Sequence, residues 1–184
     1  MLRHLPNLIS IGRIVLTWPI VMALREGDYV ACMWLFALAA FSDGLDGLLA
    51  KRFGWTSDLG KLLDPAADKL LLVSVFVSTT WLGLVPRWLT ATAVGRDALI
   101  ALGALTFRMW FGPLQGRPTL LSKLNTAVQL TYLFCVMAEA AIGLPGPDVL
   151  EALALITLVT TVASGANYVL VFTRRALAMP VESS

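Results

Sequence analysis

The sequence predicts an all-α integral membrane protein with six transmembrane helices and both termini in the cytoplasm. Three observations predict it. The 184-residue chain is 58% apolar and only 14% charged, with a mean hydropathy of +0.77, whereas a soluble domain carries about 25% charged residues. In water such a chain would expose more contiguous apolar surface than monomers tolerate. Six apolar runs have the 17–25 residues that cross roughly 30 Å of hydrocarbon at about 1.5 Å per residue. Finally, the basic residues segregate to one side. Nothing resembles a linker, so residues 1–184 are expected to form a single membrane domain.

The first run, Leu8–Leu24, follows a weakly basic start, Met1-Leu2-Arg3-His4, and is interrupted by Arg13. No small-residue cleavage site follows it, and no Arg- and Ser-rich transit pattern precedes it, so the expected compartment is a bacterial inner membrane. The second run, Tyr29–Ala50, is joined to the third, Asp64–Leu84, by a short loop around Phe53–Ser57, which makes the two plausible antiparallel neighbours. The fourth and fifth runs are Leu89–Phe107 and Leu121–Ile142. Gly143-Leu144-Pro145-Gly146-Pro147 then forms a tight turn into the sixth, Val149–Thr173. Trp55, Trp81, Trp88 and Trp110 fall near run ends, where indoles anchor at the interface.

With the N-terminus inside, one side receives Arg3, Lys51, Arg52, Lys61, Arg108, Arg117, Lys123, Arg174 and Arg175. The opposite loops carry only Arg25 and Arg87, with Glu26, Asp28 and Asp148. This is a positive-inside pattern. A net charge of +2 gives no basis for a nucleic-acid partner. Cys32 and Cys135 lie inside apolar runs without metal-ligand spacing and read as small buried hydrophobes. His4, the only histidine, makes no metal site by itself, and Glu139 near the outer end of the fifth run is expected to snorkel or meet another helix. Tyr132 and Tyr168 are open to packing or to capping polar groups.

The chemistry concentrates between residues 43 and 68. Asp43-Gly44-Leu45-Asp46-Gly47-Leu48-Leu49-Ala50-Lys51 is followed by eight residues and then by Gly60-x-x-x-Asp64-x-x-x-Asp68. Four acids thus sit at the cytoplasmic ends of two apolar helices, and carboxylates in that setting are costly and usually functional. Asp43 and Asp46 share one helix face, and Asp64 and Asp68 share another, with Gly60 a turn earlier. Two charges 4 Å apart repel by about 4 kcal/mol at an effective dielectric of 20, so the cluster must be partly protonated or hold cations. All-oxygen ligands favour Mg²⁺, Mn²⁺ or Ca²⁺ over zinc, and two bridged ions would clamp a diphosphate. Gly44, Gly47 and Ala50 leave room for a ligand to approach the backbone, or for helices to pack closely.

This string resembles the signature of the CDP-alcohol phosphotransferase family, Asp-x-x-Asp-Gly-x-x-Ala-Arg, eight residues, Gly-x-x-x-Asp-x-x-x-Asp. The spacings agree, and the one departure is Lys51 in place of the family arginine, with Arg52 beside it. Lysine keeps the charge but loses the bidentate fork. The resemblance implies six membrane helices, a homodimer and a cavity open to the cytoplasmic leaflet. It implies two ions, Mg²⁺ or Mn²⁺, held by Asp43, Asp46, Asp64 and Asp68, with Asp68 also the general base for an acceptor hydroxyl. Asn7, Gly44, Gly47, Ala50, Lys51 and Gly60 would line the CDP site, and CMP would leave from CDP-diacylglycerol.

Within the family, Pro6-Asn7-x-x-Ser10-x-x-Arg13 does not discriminate between acceptors. Gly95-Arg96-Asp97 and the segment from Arg117 to Gln129 resemble eukaryotic-type cardiolipin synthases, in which Ser-Lys-x-Asn-Thr-x-x-Gln opens the fifth helix. The expected acceptor is therefore phosphatidylglycerol, met by Arg96, Arg117, Lys123 and Asn125. The alternative is glycerol 3-phosphate, since phosphatidylglycerophosphate synthases carry a related string with a second lysine at the position of Asn125. The alternative for Arg96 and Asp97 is mutual neutralisation near a helix start. A cation transporter would spread its acids near the midplane or across internal repeats; here they cluster at helix ends. A purely structural membrane protein leaves the spaced small residues and basic flank unexplained.

Overall fold

The computed structural model describes residues 5–53, 58–111 and 119–177, with the side chains of 8–42, 64–106, 109 and 119–174. Six helices follow one another: α1 (Leu5–Glu26), α2 (Tyr29–Phe53), α3 (Asp58–Trp81), α4 (Arg87–Phe111), α5 (Leu120–Ile142) and α6 (Pro147–Leu177). No strand occurs among the described residues. Each expected run is met by one helix. The third differs most, starting at Asp58 rather than Asp64 and ending at Trp81 rather than Leu84. Its first turns are polar, so apolarity alone does not register them. At its other end Gly83 turns left-handed (φ +77), and Leu84 N–H donates back to the Thr79 carbonyl at 2.9 Å.

Among the described residues, Leu8–Glu26, Arg87–Thr106, Leu120–Ile142 and Pro147–Arg174 are long and apolar enough to cross a membrane, while the apolar stretch of α2, Tyr29–Ser42, is shorter. Trp18, Trp34, Phe41 and Val159 are between 66% and 69% exposed. Acyl chains solvate such side chains where water would not. These are the marks of a multi-pass membrane protein.

The chain divides into two compact units, residues 1–86 with 130–150, and residues 87–129 with 151–184. In the first, α1 packs against α2 and α3. Ile20, Leu24, Phe36, Leu71, Val75, Phe76, Leu133 and Met137 fill its interior, and Cys32 Sγ lies 3.3 Å from Met137 Sδ. Both cysteines are free thiols. α1 stops at Gly27 (φ +78), and the Asp28 carboxylate accepts from Ala31 N–H at 3.0 Å to start α2. Glu139 is partly exposed, and its Oε2 accepts from Gly146 N–H at 2.7 Å across the turn before α6.

In the second unit the buried side chains are largely polar. Arg96, Asn125, Gln129, Thr157, Thr161 and Ser164 are all buried. The Thr157 hydroxyl returns to its own helix, donating to the Leu153 carbonyl at 2.7 Å, which satisfies it without water, while the Thr161 hydroxyl donates to Asn125 Oδ1 at 2.8 Å.

Candidate active site

α3 is helical from Asp58, so Gly60, Asp64 and Asp68 lie at four-residue steps on one helix, and Asp43 and Asp46 lie within α2. The side chains of Asn7, Asp43, Gly44, Asp46, Gly47, Ala50, Lys51 and Gly60 are outside the described residues, as is Arg117 altogether. The described half of the acid set is Asp64 and Asp68, both partly exposed on α3.

Both are met from α1. The Ser10 hydroxyl donates to Asp64 Oδ1, and Arg13 Nη1 donates to Asp68 Oδ1 in an ion pair. Donors at positions 10 and 13 are one turn apart on α1, and acceptors at 64 and 68 are one turn apart on α3. Two packed helices therefore make two rungs. Arg13 is 1% exposed while the Asp68 side chain is 34% exposed. A guanidinium withdrawn from water needs an opposite charge beside it, and Asp68 supplies it while keeping an open side.

Neither Ser10 nor Arg13 stands out from the sequence as a site residue. The signal was present in the arginine that interrupts an otherwise apolar run, because an intramembrane cation seeks an acid. Which acid it meets depends on how α1 packs against α3.

No group of three or more potential metal ligands occurs among the described residues. The donor chemistry of Asp64 and Asp68 nevertheless fits a hard divalent cation, being all oxygen and partly open. In each carboxylate Oδ1 accepts from α1, so α1 fixes how Oδ2 is presented.

The acceptor candidates lie in the second unit. Arg96 is buried; its Nη1 meets Asp97 Oδ1 at 2.7 Å, and its Nη2 donates to Ser122 Oγ at 2.7 Å and to Ser164 Oγ at 2.5 Å. Its guanidinium carbon stands 5.7 Å from the Tyr168 ring centroid, a cation–π distance. Asn125 is fully buried and accepts through Oδ1 from Thr161 at 2.8 Å and Thr160 at 3.1 Å. Its Nδ2 has no partner among the described residues. Lys123 is exposed. Arg96 and Asn125 are thus engaged within the helices, and Lys123 projects out of them.

The family model for CDP-alcohol phosphatidyltransferases matches residues 3–165. The chain belongs to the CDP-alcohol phosphatidyltransferase family. The matched interval contains all four aspartates and the Ser10 and Arg13 pair. A human cardiolipin synthase (CMP-forming) is 32% identical over 180 residues, covering 89% of this chain and 60% of the relative. A Streptomyces coelicolor cardiolipin synthase (CMP-forming) is 37% identical over 103 residues, covering 52% and 47%. A rice chloroplastic CDP-diacylglycerol–glycerol-3-phosphate 3-phosphatidyltransferase is 32% identical over 187 residues, covering 90% and 56%. The chain therefore spans less than two thirds of the length of these relatives.

Proposed function

We propose that residues 1–184 form one CDP-alcohol phosphatidyltransferase domain that transfers phosphatidyl from CDP-diacylglycerol to phosphatidylglycerol, releasing CMP and forming cardiolipin. The observation that carries the chemistry is the pair of α3 carboxylates, Asp64 and Asp68, each held by a donor on α1 within a chain of this family. The choice of acceptor is supported by the cardiolipin synthase relatives and by Ser122-Lys123-x-Asn125-Thr126 at the start of α5.

Asp43, Asp46, Asp64 and Asp68 would hold the divalent cations, probed as Mg²⁺ or Mn²⁺ and proposed to be two. When bound, these ions supply charge neutralisation to the diphosphate of the donor lipid. Asn7, Gly44, Gly47, Ala50, Lys51 and Gly60 would line the CDP moiety. Asp68 takes the proton from the acceptor hydroxyl through its open oxygen. The hydroxyl oxygen bonds to the lipid-linked phosphorus, and the bond from that phosphorus to the CMP oxygen breaks, its electron pair leaving with CMP. Arg96, Arg117, Lys123 and Asn125 are the proposed determinants of the acceptor, Lys123 by direct charge on an anionic headgroup.

Six spans are proposed, α2 and α3 joining the other four, with both termini and the acids on the basic-residue side. In a bacterial inner membrane, the compartment favoured by the sequence, that side is the cytoplasm. A homodimer is proposed on the family resemblance. The rice relative favours a second reading in which glycerol 3-phosphate is the acceptor. The test is CMP release by the purified chain with CDP-diacylglycerol and each acceptor alone. Turnover confined to phosphatidylglycerol is expected, and turnover confined to glycerol 3-phosphate would transfer the assignment to the second reading.

A further inference from the structure

α1 and α3 run side by side in the same direction, with Ser10 beside Asp64 and Arg13 beside Asp68. Roughly 18 Å further along α1, at a rise of about 1.5 Å per residue, the same two helices enclose a groove of about 350 Å³. That volume falls in the roughly 300–1,000 Å³ range of small-ligand sites. Val21 and Arg25 line it from α1, Val77, Ser78 and Trp81 from α3, and Leu82 from the turn that follows. Positions 21 and 25 are one turn apart, as are 77 and 81, so the groove runs along the helices. Neither the α3 acids nor their α1 donors line it.

Its walls are apolar and its outer end is rich in donors. Arg25 is exposed and is the one charged side chain among the lining residues. It has no ion-pair partner among the described residues. The Ser78 hydroxyl likewise makes no hydrogen bond among them, whereas that of neighbouring Thr79 donates to the Val75 carbonyl at 2.7 Å. Trp81, the last residue of α3, is 88% exposed, and indoles gather at the membrane interface. Leu8–Glu26 is long and apolar enough to cross a membrane, so Arg25 stands at the end of a span, where headgroups begin. An arginine there complements the dipole of α1 and can snorkel. Neither use calls for an open hydroxyl and an exposed indole on the helix beside it.

We infer that this groove binds one anionic phospholipid of the leaflet opposite the aspartates. An acyl chain lies along Val21, Val77 and Leu82, and the headgroup phosphate accepts from Arg25 and Ser78 beside the Trp81 indole. A guanidinium matches phosphate in charge and in shape. The headgroup is anionic overall because no carboxylate lines the groove to meet an ammonium group. Bound there, the lipid bridges the two helices whose other ends bring Ser10 and Arg13 to the acids. The site shares only its membrane setting with the proposed transfer reaction, and its occupancy is read without turnover.

The experiment makes Trp81 the sole indole by replacing Trp18, Trp34, Trp55, Trp88 and Trp110 with Phe. The full chain is placed in phosphatidylcholine nanodiscs in which a fixed fraction of lipid carries brominated chains, which quench indoles on contact. That fraction is phosphatidylglycerol in one series and phosphatidylcholine in the other. Brominated phosphatidylglycerol is expected to quench Trp81 as if enriched about fivefold over brominated phosphatidylcholine. Arg25→Gln is expected to make the two lipids equal, and Arg25→Lys to keep most of the preference. Phosphatidylglycerol bound as acceptor near Asp68 lies roughly 20 Å away along α3 and does not report.

Equal quenching by both lipids with Arg25 intact would overturn the inference, as would a preference that survives Arg25→Gln. A second copy of the chain seated on the groove would shield Trp81 from both lipids and would also overturn it. If the single-indole variant does not fold, native mass spectrometry of the unaltered chain and Arg25→Gln with phosphatidylglycerol carries the test. Arg25→Gln should retain one lipid fewer, and equal numbers would refute the site. CMP release without the lipid preference sinks this inference alone, and the preference without CMP release sinks the proposed function alone.

Discussion

Ser10, Arg13, Asp64 and Asp68 show how much of a site depends on which oxygen is already engaged. Hydrogen bonds to a charged group contribute about 1.5–3 kcal/mol, so Ser10→Ala is expected to lower kcat/KM by roughly tenfold or more, read from CMP release. Asp64→Asn keeps the shape and removes the charge; it is expected to abolish turnover and weaken Mn²⁺ binding, and full activity in that variant would remove Asp64 from the site. In the second unit Arg96 is tied to Asp97, Ser122 and Ser164. Truncating one partner of a buried ion pair costs about 3–5 kcal/mol, so Arg96→Met is expected to lower the unfolding temperature in detergent by several degrees. An unchanged melting profile would show that this network contributes nothing to stability. The four aspartates stand out in the sequence because charge at 3- and 4-residue spacing in apolar helices is a local pattern. The partners of Arg96 were not, since Ser122 and Ser164 lie 26 and 68 residues away and are brought together only by packing.

At the scale of helices, the end of α5 was legible where glycine and proline mark it, around Gly143 and Gly146, whereas the expected third run continued through Gly83 to Leu84 and α3 ends at Trp81. Nor was the start of α3 legible, because Asp58 and Lys61 continue the helix with polar turns. That earlier start brings Gly60 into the same helix as the acids, a condition for the family spacing to act as one frame. Packing between α4 and α6 gives a sharper test. A Cβ on Gly103 would stand 2.7 Å from the ring of Phe172, closer than packed carbons approach. Gly103→Ala is expected to destabilise by about 1–3 kcal/mol through overpacking, measurable as a lower unfolding temperature. Restoration of that temperature by adding Phe172→Leu would locate the strain at this contact. The six-span proposal is tested by thiol labelling in a Cys32→Ala, Cys135→Ala background. Asp28→Cys and Gly146→Cys should label from one side only, and Thr119→Cys from the other.

For the whole molecule, the composition and the alternation of apolar runs with basic loops carried the fold class, because the bilayer requires long helices and sorts their flanking charge. Neither of those features could carry the acceptor, which depends on side chains gathered from separate helices. The central claim is that the α3 acids and their α1 donors belong to a phosphatidyl transfer from CDP-diacylglycerol to an alcohol. Family membership makes divalent metal part of that account, so saturating chelator should stop turnover and added Mg²⁺ or Mn²⁺ should restore it. The most direct measurement is CMP release by the purified chain in nanodiscs, with CDP-diacylglycerol and Mn²⁺, in the presence of phosphatidylglycerol or of glycerol 3-phosphate. The account predicts CMP with phosphatidylglycerol, cardiolipin formed in equal amount, and loss of both in Asp68→Asn. Undiminished CMP release in Asp68→Asn, or none from wild type with any acceptor alcohol, would contradict it.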